Sequence, residues 1–141
     1  MWTEEELDKI FRWLESSAPR MVELQRQLTA IPALSPASGG KGEAEKATFL
    51  AGKLKDWGFG GVETYKAPDN RAEGGYRPSI VARVPGRSSE RTIWIMTHLD
   101  VVPPGSRDLW ETDPYKVVEK AVSYTHLRAH ETSLHLVCRL L

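Results

Sequence analysis

Thr92-Ile93-Trp94-Ile95-Met96 is an almost wholly apolar run that closes on Thr97-His98-Leu99-Asp100. Its length suits a strand, and its lack of alternation predicts one buried on both faces. Such a strand needs paired neighbours along its edges and a covering layer on each face. The rest of the chain has to supply them.

The preceding residues offer both helices and strands. Thr3-Glu4-Glu5-Glu6 has the form of a capping box, followed by Leu7, Ile10, Phe11 and Leu14 at helical spacing. Ser16-Ser17-Ala18-Pro19 is expected to interrupt that helix. A second helix is predicted from about Pro19 through Leu28, with Met21, Val22, Leu24 and Leu28 on its buried side. Ile31 to Gly40 is rich in proline, serine and glycine and reads as a loop. A third helix is predicted from Glu43 to Trp57, with Ala44, Ala47, Leu50, Ala51 and Leu54 inward and Gly58 as its stop. Gly61 to Tyr65 reads as a short strand, and Pro68 to Tyr76 as a polar loop between strands. Ser79 to Val84 alternates and ends at Pro85-Gly86, a turn that suits a hairpin. Trp94 and Trp57 are expected to pack in or beside the core. Helices followed by strands around a buried central strand give an α/β fold class, with helices packed on a mixed sheet.

The 141 residues suit one modest domain, and zero formal net charge gives no bulk attraction to nucleic acid or an anionic membrane. No apolar run approaches the roughly 18 residues of a membrane span. The acidic start is unlike a secretory signal, so a cytoplasmic location is expected. A single cysteine, Cys138, excludes an internal disulfide.

His98 and Asp100 fall just past the end of the apolar run, where open α/β sheets place ligand sites. Two residues apart on extended backbone, their side chains project to one side. Neutral imidazole is a good zinc ligand, and its second ring nitrogen needs a carboxylate or carbonyl to fix tautomer and orientation. Asp100 is the candidate for that task. Spacing alone leaves a satisfied structural pair or a surface turn as open alternatives.

The wider context adds specificity. Ile95 to Gly105, followed by Leu109-Trp110-Glu111-Thr112-Asp113-Pro114-Tyr115, is similar to the first metal-ligand segment of a zinc amidohydrolase and exopeptidase family. Acetylornithine deacetylase, succinyl-diaminopimelate desuccinylase, aminoacylase and carboxypeptidase G belong to it. Ile31-Pro32-Ala33-Leu34-Ser35-Pro36 and Gly42 to Ala47 resemble the family's lead-in to its second helix. The resemblance covers residues 1–120 and implies the N-terminal, incomplete part of a zinc-exopeptidase-like catalytic domain. It implies two zinc ions, with cobalt as a substitute, held by two histidines and three carboxylates, and a glutamate as general base. His98 matches a histidine that ligates one zinc, and Asp100 matches the catalytic-site aspartate that orients it. The other ligands and the base lie downstream in the family, and no substrate-binding residue carries over. The implied parent cleaves the amide of a small N-acyl amino acid, or a peptide bond, without nucleic acid or membrane partners, and is a homodimer. The 141-residue chain itself is expected to be inactive. Trp110 and Tyr115 are open between packing and substrate contact.

Residues 121–141 form a second segment. Val122-Ser123-Tyr124-Thr125-His126-Leu127-Arg128-Ala129-His130-Glu131-Thr132 resembles a translated sequencing-library adapter, and His135 to Leu141 continues it in the same frame. The spacing His126-x-x-x-His130 imitates a zinc helix, but Glu131 follows the second histidine, unlike His-Glu-x-x-His. The tail is therefore expected to be non-native. A non-enzymatic module holding a metal or a partner through the tryptophan-rich loop and these histidines is the reading from another class. A third reading is that the fragment does not fold stably, because Thr92 to Met96 would lack neighbouring strands and leave exposed edges that favour aggregation.

Overall fold

The computed structural model describes residues 2–88 and 90–119, so the expectations for residues 121–141 lie outside the described residues. The described residues divide into two compact units, 2–30 with 104–119, and those within 31–103.

The first unit is built on helix α1, Glu4–Thr29. The expected capping box forms: Thr3 Oγ1 accepts from the Glu6 amide at 3.2 Å, and the Thr3 amide donates to Glu6 Oε2 at 2.8 Å. The Thr3 amide and then the Thr3 hydroxyl, which donates to the same Oε2 at 3.0 Å, hold the Glu6 carboxyl below its usual range. The expected break at Pro19 does not occur, and one helix replaces two. Proline removes a single amide donor, while the Ser16 and Ser17 hydroxyls both donate to the Trp13 carbonyl at 2.8 Å. The serines are thus satisfied inside the helix instead of capping a new one. No residue of α1 is buried; Met21, expected inward, is exposed, while Val22, Leu24 and Leu28 are half-buried. Farther along, a 3-10 turn at Arg107–Leu109 precedes Trp110, whose indole Nε1 donates to the Pro104 carbonyl at 2.7 Å.

The second unit contains helix α2, Ala44–Asp56, and a hairpin of β1, Glu63–Pro68, with β2, Tyr76–Val81. Helix α2 ends as expected, with Trp57 at its C-cap and Gly58 left-handed at φ 80°. It buries Ala47 and, unexpectedly, Lys46, with the other inward-expected residues half-buried. Burial pushes the Lys46 ammonium below its ordinary range. The two strands are antiparallel, with Glu63 opposite Val81 and Ala67 opposite Arg77. Their connection is the polar loop between Pro68 and Tyr76, closed by Asp69 N–H to Gly75 O at 3.0 Å and by left-handed Gly74 and Gly75. The core is made of small side chains: Ala33, Ala47 and Ala72 are its buried apolar residues.

Five expectations differ from what the described residues show. The described residues carry a two-stranded antiparallel sheet, and the parallel component is an isolated bridge between Leu34 and Val101. That is α and β structure, but not a mixed sheet under helices. The run from Thr92 to Met96 forms no strand, and Ile93 is 90% and Ile95 88% exposed. Trp94, expected in the core, is exposed with them. The hairpin expected at Pro85-Gly86 is also absent. The missing strand, the exposed Trp94 and the absent hairpin share one reason. An apolar run becomes a central strand only where other strands supply its hydrogen bonds and other layers cover it, and the described elements supply neither. Trp57, expected at the core edge, is exposed as well.

Candidate functional site

Although the expected strand is missing, its C-terminal end is held in place. The Val101 amide donates to the Ala33 carbonyl at 2.9 Å, beside the Leu34–Val101 bridge. The Leu34 carbonyl in turn accepts from the Gly42 amide at 3.0 Å. This turn is so tight that a Cβ on Gly40 would lie 2.2 Å from the Leu34 oxygen. The loop of residues 31–42 is therefore a seat for the backbone immediately after Asp100.

On that seat the two sequence-predicted residues meet. His98 Nδ1 lies 2.8 Å from the Asp100 carbonyl oxygen and 3.2 Å from Asp100 Oδ1. Two oxygen acceptors at Nδ1 favour the proton on that nitrogen in the neutral ring. The lone pair then belongs to Nε2. The short spacing produces this geometry locally, without a sheet.

Two further residues complete the arrangement. Arg77 on β2 directs Nη2 toward Asp100 Oδ2 at 3.5 Å, an ion-pair distance. Its guanidinium also grips Glu43 in a fork, with Nε donating to Oε2 at 3.1 Å and Nη2 to Oε1. Glu43 is the N-cap residue of α2 but makes no side-chain capping bond, because its carboxylate is committed to Arg77. That carboxylate is buried, at 4% exposure, while Arg77 keeps 36%. The Glu43 hydrogen bonds hold Arg77 protonated above the usual arginine range, with lesser contributions from Asp100 and Asp69. The sequence places Glu43 in a lead-in segment and at the start of the third predicted helix, and gives Arg77 no role. Neither residue carries a local signal, because their pairing depends on contacts 34 and 23 residues apart in the chain.

The donor set decides how far the site fits a bound metal. Among the described residues no group of three or more histidine, cysteine, aspartate or glutamate side chains could hold an ion. Trp110 and Tyr115 are half-buried, the former through its bond to Pro104. Among the described residues, no helix is long and apolar enough to cross a membrane.

No family model and no solved structure matches the chain. It is similar to an uncharacterized metallohydrolase of Methanocaldococcus jannaschii, with 36% identity over 108 residues, covering 70% of this chain and 25% of that protein. A second uncharacterized metallohydrolase, from Methanococcus maripaludis, is 32% identical over 107 residues, 73% of this chain and 26% of its own length. The Cys-Gly metallodipeptidase of Saccharomyces cerevisiae is 25% identical over 118 residues, 79% of this chain and 24% of its own. All three relatives bear the names of metal-dependent hydrolases. The chain spans about a quarter of the length of these curated relatives.

Proposed function

We propose that this chain contributes one metal ligand, His98, and its orienting carboxylate, Asp100, to a zinc-dependent hydrolase of amide bonds. The observation that carries the reading is the paired contact of His98 Nδ1 with the carbonyl and carboxylate of Asp100. A metal-ligating histidine needs such a partner on its other nitrogen. In this reading the remaining ligands and the general base come from residues outside those described. A bound zinc ion would acidify water and polarise the scissile carbonyl. The chain's own residues serve to present Nε2 in a fixed direction.

The substrate is a small N-acyl amino acid or a dipeptide. The resemblance of the His98 segment to deacylases supports the first, with an N-succinyl or N-acetyl group. The yeast relative's name supports the second. The test is to express the protein extended through the length of these relatives and to assay N-succinyl and N-acetyl amino acids alongside Cys-Gly. Hydrolysis that is lost on chelation, restored by zinc or cobalt and abolished by His98→Gln is the expected result. A chelator-insensitive activity, or one indifferent to His98→Gln, overturns it.

A further inference from the structure

The Glu43–Arg77 pair has no part in that chemistry, yet it lies directly behind Asp100. We propose that Arg77 is a positioning residue, braced by buried Glu43, that fixes the Asp100 carboxylate and through it the His98 ring. The proposal rests on His98 being the presented ligand.

The geometry carries the argument. Asp100 offers two oxygens to two partners: Oδ1 lies 3.2 Å from His98 Nδ1, and Oδ2 lies 3.5 Å from Arg77 Nη2. A carboxylate engaged on one side only can rotate, and the imidazole can then follow it or exchange it for water. Arginine removes that freedom only if its own planar fork is immobile. Glu43 supplies the immobility, taking both Nε and Nη2 of Arg77 from the N-terminus of α2. A buried carboxylate whose two oxygens meet one guanidinium has little alternative hydrogen bonding available to it. The result is a chain of four charged or polar groups, Glu43, Arg77, Asp100 and His98. It couples a helix start and a hairpin strand to the ligand direction. Asp69 also faces Arg77 electrostatically but is engaged by Arg71.

A purely structural salt bridge would look the same in a stability measurement, so the readout must be the His98 ring. The full 141-residue chain is labelled with 15N-histidine and held at a pH where every imidazole is neutral. Long-range 15N–1H correlations then report each tautomer, and His98→Gln assigns the His98 signals. The wild-type chain is expected to hold His98 with its proton on Nδ1, whereas free imidazole in water prefers Nε2–H. Arg77→Gln should lose that Nδ1–H majority, and Glu43→Gln should lose part of it. Arg77→Lys, which keeps the charge without the fork, should fall between. Arg83→Gln, which removes the surface pair with Glu63, should leave the tautomer unchanged.

A folded Arg77→Gln chain with the wild-type His98 tautomer overturns the proposal, because the Asp100 carbonyl alone would then suffice. If Arg77→Gln does not fold, Glu43→Gln and Arg77→Lys decide the same question. The measurement contains no metal. A failure of zinc binding in the extended protein therefore removes the hydrolase reading separately from the coupling of Arg77 to His98.

Discussion

Arg77 and Glu43 face each other as a guanidinium fork on a buried carboxylate, joining the β hairpin to the first turn of α2. The partner that is hidden is the acid, and this determines how the pair responds to mutation. Removing Arg77 strands a buried charge, whereas neutralising Glu43 releases an arginine that already reaches water.

Arg77→Met should therefore destabilise the unit by roughly 1–3 kcal/mol, toward the low end because Arg77 is partly solvated. Adding Glu43→Leu should recover part of the loss, since the orphaned carboxylate goes with it. Denaturant unfolding of the single and double variants measures both. A double variant no more stable than Arg77→Met would show that the stranded carboxylate is not the source of the loss.

Asp100→Asn keeps the shape of the side chain but removes the charge that His98 and Arg77 share. In the extended protein it should weaken zinc binding by about 10–100-fold, as loss of a ligand's hydrogen-bonded partner commonly does. Competition titration against a chromophoric chelator reads the change. Equal affinities for the two proteins would remove Asp100 from the orienting role.

Gly40→Ala should cost about 1–3 kcal/mol, the usual penalty of forcing extra atoms into a closed space. The added Cβ meets the Leu34 backbone oxygen, which cannot move without loosening the seat of Val101. Thermal unfolding measures the cost, and the His98 ring resonances should shift in the same variant. Gly52→Ala, where a Cβ has open space, is the control and should be neutral or stabilising.

Acid should loosen the hairpin loop in a defined window. Asp69 is held at about 2, below the ordinary 3.8, first by the Arg71 side chain and then by the Arg71 backbone N–H. A carboxyl depressed in the folded state contributes stability that is complete above the unfolded value. That contribution is lost as pH falls through the folded one. Loop amides from Asp69 to Gly75 should thus lose exchange protection as pH drops from near 4 toward 2. Asp69→Asn should abolish the step, and a step that persists in that variant would assign it to another group.

Pro19→Ala should strengthen α1 by up to about 3 kcal/mol, the difference between the two residues in a helix interior. Helical ellipticity and the thermal midpoint would both rise. A fall in either would show that Pro19 is needed where it stands.

What could be read from the chain itself was local. The capping box of Thr3 and Glu6, the end of α2 before Gly58, and the loop of residues 31–40 depend on neighbours within a few residues, and all appear where expected. The contact of His98 with Asp100 belongs to the same class, because two residues of spacing bring ring and carboxylate together with or without a sheet. Tertiary structure decided the rest. The run from Thr92 to Met96 has the composition of a central strand, but burial is conferred by partners, and the described elements provide none. In the opposite sense, Arg77 and Glu43 look like ordinary surface charges in the sequence. Only folding brings them together behind Asp100, so only the fold reveals how the His98 ligand direction is held.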